Sequence, residues 1–431
     1  MDINDYLKWI LSPMDKLDFL MSYWEKRPFY LSRRNKRYYK DLISLDTVDK
    51  ILSRQDIFYP VVRIFENGKT ILPKSFTTKF HFGFEEFHGL IDVNKVYKYY
   101  LKGATINFRV LERFHRPLMY LCRGMESQLG SGADVSVFLT PKHSGHNLKP
   151  HYDAVDAFIL QISGKKKWRI WKSSYELPSM KQDYTPYNVQ CNKENLEGIY
   201  VLEEGDMLYI PRGFPHDAVT EDSHSLHATV GVTTVTWFDI FSRLTANFTD
   251  KTNVSRISEA DAFTSLLDKR KDSHLFSKLL DYFRSDLRLS DGIHLSKSIL
   301  VTGRYPARYG QILDFVRLDE LSLNTVLQKR KGVICMIERD SLTENIVIKF
   351  HDKSIKMPFF LWEPLKYIVS TSHSSFCVGD IPGSLDRKSC LVLCTRLVKE
   401  GLLTLVGEKN AEILNDSKKA TNKLKSYDLL L

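Results

Sequence analysis

Between residues 56 and 235 the chain breaks into short apolar segments rich in Phe, Tyr, Val and Ile, separated by Gly, Pro and Asn. "GATINFRVL", "ADVSVFLTP", "AFILQISG", "KWRIWK", "GIYVLEEGDMLYIP" and "SLHATVGVTTVTW" follow one another at regular spacing. Many short strands of this kind predict a β-sandwich or a barrel. The flanks have a different texture. Residues 1 to about 55 place apolar side chains at helical spacing, as in "DKLDFLMSYWEKRPFYL", with Pro28 closing the second helix. Residues 237 to about 290 return to that spacing in "FDIFSRLTANF" and "AFTSLLDKRKDSHLFSKLLDYFRSDLRL". Further on, "GVICMIE" and "NIVIKF" are expected strands. The stretch from "PFFLWEPLKYIV" to "LVKEGLLTLVG" reads as helix, link, helix and strand, the texture of a winged helix.

Composition sets the bounds around that pattern. With 431 residues, 43% hydrophobic and 26% charged, the chain has room for two or three soluble domains with proper cores. It contains no run of 18 apolar residues, so no membrane helix is expected. The N-terminal stretch lacks the basic, apolar and small-residue order of a secretory signal. None of the six cysteines forms a CxxC pair, and Cys390 and Cys394 are spaced to share one apolar helix face. A reduced, cytoplasmic setting is expected. The net charge of +10 permits an acidic partner without identifying one. Its basic runs, "SRRNKRYYKD", "KRKD", "QKRKG" and the tail, are dispersed and read as solvated faces.

The chemistry concentrates in "KPHYDAVDAFILQISGKKKWRIWK", residues 149–172. His151 and Asp153 sit two apart at the expected start of a long strand. They project to one side while Tyr152 points away. Alone, an HxD pair is a weak signal. Downstream, in "LEEGDMLYIPRGFPHDA", Gly205-Asp206 marks a turn, "MLYIP" a strand, and His216 follows. Two imidazoles and one carboxylate on one face of a metal leave the opposite positions vacant. That suits non-haem Fe(II), which needs open sites for a co-substrate and dioxygen. His151, Asp153 and His216 are therefore the expected metal ligands and catalytic centre.

The pair "PHYDAVDAFILQISGKKKWRIW" and "EEGDMLYIPRGFPH", with "HSLHATVGV" behind it, resembles the cupin-type JmjC 2-oxoglutarate/Fe(II) oxygenases, in particular the branch of bacterial and human ribosomal-protein hydroxylases. The resemblance extends over nearly the whole chain. It implies an α+β fold: a double-stranded β-helix (jelly-roll) barrel with N-terminal helices over 1–236, a helical dimerisation region over 237–310, and a winged-helix-like domain over 311–408, followed by a basic tail over 409–431. It implies Fe(II), 2-oxoglutarate and dioxygen, a homodimer, and a protein or peptide substrate of the ribosomal-protein kind. In the family a buried cation fifteen residues after the first ligand histidine meets the distal carboxylate of the co-substrate; here that position is Lys166. Lys165 and Lys167 alternate to the solvated face. Ser136 and Phe138 stand where human-type members carry Asn and Tyr facing the site, which puts the substrate choice apart from the oxygenase chemistry. By position, Ser136 and Thr229 are also expected at the co-substrate. Asp156 matches an acidic family position, with substrate contact and local hydrogen bonding both open.

Other features fall to simpler readings. His224 and His227, three apart on a strand, face opposite ways and cannot chelate together; His227 is the one expected to face the pocket. His143 and His146 lie in a loop, and Trp168 and Trp171 are expected to pack in the sheet. The sequence has no GxSxG, P-loop or dinucleotide-binding pattern. The basic residues of "DRKSCLVLCTRLVKEGLL" lie on a largely apolar helix, so partner docking is expected there rather than direct nucleic-acid binding. The competing functions are a tailoring hydroxylase of a biosynthetic peptide or amino acid, an N-methyl-lysine demethylase, and a non-catalytic binding protein.

Overall fold

Strand alternation lets one stretch of chain serve a core and a cavity at once. In the computed structural model, β8 (Asp156–Gly164) sends Phe158, Leu160 and Ile162 to one side and Ala157, Ile159 and Gln161 to the other, and all six are buried. Its neighbour β13 (Ser225–Thr233) pairs antiparallel with both β8 and β7 (Gly132–Thr140). Leu226, Ala228, Val230 and Val232 of β13 and Val135 and Val137 of β7 join the Phe158 side in one core. Phe138, His227 and Thr229 have the opposite parity and line a cavity.

The structure describes residues 3–54, 56–145, 147–173, 175–179, 187, 189–249, 281, 288–340, 343–370 and 375–406. The chain forms two compact units, Met1–Val235 and Thr236–Leu431. The first holds an eight-stranded sheet in the order β1 (Phe29–Leu31), β11 (Met207–Ile210), β8, β13, β7, β6 (Thr105–Phe108), β2 (Val62–Glu66), β3 (Lys69–Thr70). A smaller sheet runs β10 (Leu196–Leu202), β9 (Lys166–Trp171), β12 (His216–Val219). Ile159, Leu208 and Ile210 from the large sheet meet Trp168, Ile170 and Leu202 from the small one. Each such burial contributes about 2 kcal/mol relative to exposure. Two antiparallel sheets closed face to face are the arrangement expected of a jelly-roll barrel.

Helices cover the outer face of the large sheet. α1 (Tyr6–Leu11) and α2 (Lys16–Ser22) supply Leu7, Ile10, Leu11 and Phe19 to the core, and α3 (Leu45–Ser53) supplies Val48, Ile51 and Leu52. The Asp15 carboxylate caps α2 by accepting from the Leu17 and Asp18 amides. Two further helices lie inside the stretch expected to be all strands: α4 (Val93–Leu101) and α5 (Arg116–Leu129). Their signals are local. In α5, Pro117 occupies the first turn, Leu118, Leu121, Cys122 and Met125 recur at helical spacing on the buried side, and Gly130 ends it at φ 65°.

Pro28 does not close a helix. α2 ends at Ser22, and the chain turns through Glu25 at φ 56°, whose N–H donates to the Tyr209 hydroxyl at 2.9 Å, before Pro28 leads into β1. Two expected solvated arginines are structural instead. Arg33 donates to the Tyr39 hydroxyl at 2.7 Å and lies 4.3 Å over the Tyr38 ring. Arg330 is buried, pairs with Asp314 and donates to the Leu403 carbonyl at 3.1 Å. The β10–β11 turn confirms Gly205-Asp206: Gly205 has φ 91°, and a Cβ there would stand 2.1 Å from the Asn35 carbonyl oxygen.

In the second unit, a helix at Trp237–Thr249 packs on one at Leu289–Thr302, closely enough that a Cβ on Gly292 would meet Ile240 at 2.6 Å. One three-stranded sheet joins Phe376–Cys377, Val326–Lys329 and Leu403–Leu405; another joins Cys335–Arg339, Asn345–Phe350 and Lys353–Pro358. Cys390 and Cys394 are both buried on the helix Arg387–Glu400, as their spacing implied. Most of the expected helical stretch 262–289, the "KRKD" run and the basic tail lie outside the described residues.

Asp156 answers as a structural residue. Its carboxylate is fully buried, accepts from the Tyr209 hydroxyl at 2.6 Å and the Thr234 hydroxyl at 2.8 Å, and ties β8 to β11. Burial pushes its pKa from 3.8 to about 6, against the lowering effect of those hydrogen bonds. Between these two pH values the folded state holds a proton that the unfolded chain releases, so this group's contribution falls as pH rises from about 4 through 6. The loss is of the order of 2–3 kcal/mol. Asp156→Asn should remove that part of the slope. Urea unfolding of both proteins at pH 4.5 and 7 checks this, and identical slopes would show a carboxylate ionised throughout.

Candidate metal centre

His151 and Asp153 precede β8 rather than opening it, because the strand starts at Asp156. What holds them is a two-residue antiparallel bridge. The His216 N–H donates to the His151 carbonyl at 2.8 Å, and the His151 N–H donates to the His216 carbonyl at 3.2 Å. Bridge partners put their side chains on the same side. The two imidazole centroids are accordingly 4.6 Å apart. Two residues on, the Asp153 carbonyl accepts from Gly213 N–H at 2.9 Å, and its Oδ2 lies 3.7 Å from His216 Nε2. One ligand atom from each of the three lies within 4.8 Å of the others. Tyr152 turns away and is buried.

Backbone carbonyls select the tautomers. His151 Nδ1 is 2.8 Å from the Lys149 carbonyl, and His216 Nδ1 is 3.0 Å from the Phe214 carbonyl. A carbonyl can only accept, so both Nδ1 atoms carry the proton and both Nε2 lone pairs are free for a cation. Burial, followed by the neighbouring His151, holds the His216 pKa below its ordinary value, which keeps this imidazole in its ligating form. Next door, Asp217 pairs with Arg169 across the β12–β9 ladder: Arg169 Nε donates to Oδ1 at 2.8 Å, and its Nη2 pairs with Oδ2. This anchor, buried at its Asp217 end, fixes β12, and with it His216 at the strand's first position. Two nitrogens and one carboxylate, all gathered on one side, fit a divalent first-row metal that keeps open positions.

The same cavity runs from the triad to Lys166. Lys166 is 5% exposed, donates to the Thr140 hydroxyl at 3.2 Å and lies 5.7 Å from the Trp168 ring. No carboxylate among the described residues pairs with it, and burial alone pushes its pKa down to about 7. A buried ammonium without a counter-charge is costly. An anionic group arriving from the cavity would relieve that cost, so the residues fit a dicarboxylate with one end at the metal. Lys165 and Lys167 alternate outward to Glu203 and Glu221, as expected.

The remaining expected residues separate clearly. Thr229 lines the cavity, and Ser136 is its partner across the β7–β13 ladder, on the parity of Phe138. Phe138 lines it and stacks on His227 at 4.9 Å and 7°. His227 faces inward, while His224 bonds the Ser163 hydroxyl at 3.0 Å. His143 is an exposed loop residue at φ 54°, and His146 lies outside the described residues. Trp171 packs in the sheet, but Trp168 forms a cavity wall. Its parity with Lys166 was the available signal. Thr140, on the parity of Phe138, also went unread. Trp168 Nε1 and His227 Nδ1 are buried without a hydrogen-bond partner among the described residues, at a cost of about 1–3 kcal/mol each.

Comparison with known proteins bears on this centre. Residues 109–240 match the JmjC domain family. Ribosomal oxygenase 1 of Danio rerio is 30% identical over 234 residues, 53% of this chain and 40% of that protein. The bifunctional lysine-specific demethylase and histidyl-hydroxylase NO66 of Drosophila yakuba is 34% identical over 237 residues, 52% of this chain and 32% of that protein. The chain thus spans less than half the length of these relatives. The structure of YcfD, a ribosomal oxygenase from Escherichia coli in complex with cobalt and 2-oxoglutarate, shares the fold with a TM-score of 0.53 at 17% identity, covering 92% of this chain and 99% of that one.

Removing one imidazole should abolish the metal site without unfolding the barrel. His216→Ala should weaken Mn(II) or Co(II) binding by more than about a hundredfold, beyond what loss of a supporting residue causes. Isothermal titration beside a circular-dichroism check measures this; undiminished affinity would remove His216 from the ligand set.

Proposed function

We propose that the JmjC domain of this chain is an Fe(II)- and 2-oxoglutarate-dependent oxygenase that hydroxylates a side chain of a protein, with ribosomal proteins as the substrate class. One observation carries the reading: an open-sided His151–Asp153–His216 cluster and a buried, uncompensated Lys166 face the same cavity. When bound at the cluster, Fe(II) would supply reductive activation of dioxygen, with one oxygen atom passing into succinate as 2-oxoglutarate loses carbon dioxide and the other into a substrate C–H bond. His151, Asp153 and His216 would hold the metal. Lys166 neutralises the distal carboxylate and so sets the direction in which the co-substrate lies. Thr229 and Trp168 form the cavity wall between those ends, and the apolar side chains of Ile159 and Phe138 restrict water there.

The substrate class follows from the relatives' names, ribosomal oxygenase and histidyl-hydroxylase, and the net charge of +10 suits a particle rich in phosphate. Residues 237–310 are the proposed homodimer region. In support, Trp237 and Phe238 of their first helix are 69% and 70% exposed, which leaves apolar surface for a second copy. The proposed winged-helix domain, 311–408, would contact the substrate particle.

Purified protein supplied with Fe(II), 2-oxoglutarate and ribosomal proteins should release succinate and add 16 Da to one captured protein. His151→Ala should abolish both, and a variant with full turnover would overturn the assignment. A loss of 14 Da with formaldehyde release would instead mark demethylation. For Lys166→Ala, the 2-oxoglutarate concentration needed for half-maximal succinate release should rise at least about tenfold. An unchanged requirement would reassign Lys166.

A further inference from the structure

Lys166 is not the only cavity residue left short of a partner. Among the described residues, His227 is 1% exposed and makes no hydrogen bond through either ring nitrogen, and its Nδ1 is sealed from solvent. Its ring plane is held from two sides, face to face by Phe138 at 4.9 Å and edge-on by Trp168 at 5.4 Å and 82°. Trp168 carries the second orphaned group on this wall, its indole N–H. Folded proteins satisfy buried polar groups in nearly every instance, so two orphans on residues lining one cavity call for an explanation. Phe138 supplies none, since it has no polar atom to offer.

Charge narrows what the missing partner can be. Burial, followed by the nearby Lys166, holds the His227 imidazole well below its ordinary pKa. The ring is therefore neutral and offers one N–H beside an ammonium. An anion placed there accepts from the ammonium and the imidazole together, whereas a cation would be repelled by Lys166, which pairs with no carboxylate among the described residues.

We propose that His227 is a binding and specificity residue for the distal carboxylate of the dicarboxylate co-substrate, donating its ring N–H beside the Lys166 ammonium, with the Trp168 indole as the next donor. The inference rests on the reading of this cavity as a 2-oxo-dicarboxylate site. The Phe138 stack acts through His227: it sets the ring's plane and keeps the imidazole from turning out of the cavity.

Calorimetric binding to the Mn(II)-loaded protein, without turnover, separates the possibilities. 2-Oxoglutarate is compared with 2-oxopentanoate, which has the same chain length and metal-binding end but lacks the distal carboxylate. His227→Leu should weaken 2-oxoglutarate binding roughly tenfold, the loss expected for a hydrogen bond to a charged group, while leaving Mn(II) and 2-oxopentanoate binding unchanged. His227→Gln, which keeps a side-chain N–H, should recover part of the loss. Equal weakening of both ligands in His227→Leu would mean a packing role and overturn the proposal, as would no weakening of either. If the unmodified protein binds 2-oxoglutarate no better than 2-oxopentanoate, the dicarboxylate reading of the cavity itself fails.

Discussion

Two reciprocal backbone hydrogen bonds between His151 and His216 hold the centre together. Each is worth only about 1 kcal/mol net. Their importance lies in direction, because an antiparallel bridge pair must present both side chains on one side of the backbone. Once the bridge forms, Asp153 arrives on the same side two residues later, anchored through Gly213, and the triad exists. Gly213 itself sits at φ 87°, where a Cβ would stand 2.2 Å from the Tyr175 carbonyl oxygen, so the turn that delivers His216 depends on a missing side chain.

Around that bridge the two sheets divide labour by parity. Even-numbered β8 residues and their mates on β13 and β7 pack under the helices, while the alternate set lines the space between the sheets. The apolar layer Ile159–Trp168–Ile170–Leu202–Leu208–Ile210 closes the barrel beside the cavity and lowers the local dielectric. Lys166 lies within this region, where burial without a carboxylate partner among the described residues pushes its pKa down to about 7. On the reading proposed above, that poor compensation is binding energy held for an incoming carboxylate. The Asp217–Arg169 pair shows the contrasting case: a charge pair fully matched across the ladder, serving position alone.

Much of the site was legible because its signals are short-range. The spacing of His151 and Asp153, the turn at Gly205-Asp206 and the alternation of Lys165, Lys166 and Lys167 depend on local geometry, and each held. Readings failed where a distant partner decided the outcome. Pro28 predicts a helix end, but the turn before it is held by the Tyr209 hydroxyl from 184 positions away. Arg33 and Arg330 looked like solvated charges until Tyr39 and Asp314 claimed them. The helices α4 and α5 were lost inside a β-rich stretch, although Leu118, Leu121, Cys122 and Met125 carry a clear helical period. Trp168 was assigned to packing because an indole looks alike in a core and on a cavity wall.

The chain's own order of residues determined that there would be many short strands between helical flanks, three ligands of the right chemistry, and a lysine of the right parity. All of these are properties of neighbours along the backbone, where bond geometry dictates direction. Tertiary structure alone decided that His151 pairs with His216 through a bridge instead of along a strand, that Asp156 is tied up by Tyr209 and Thr234, and that His227 is pinned on the cavity wall by Phe138. Those outcomes depend on which segments meet in space. That is settled by burying apolar surface across the whole barrel, a sum that no local stretch of sequence contains.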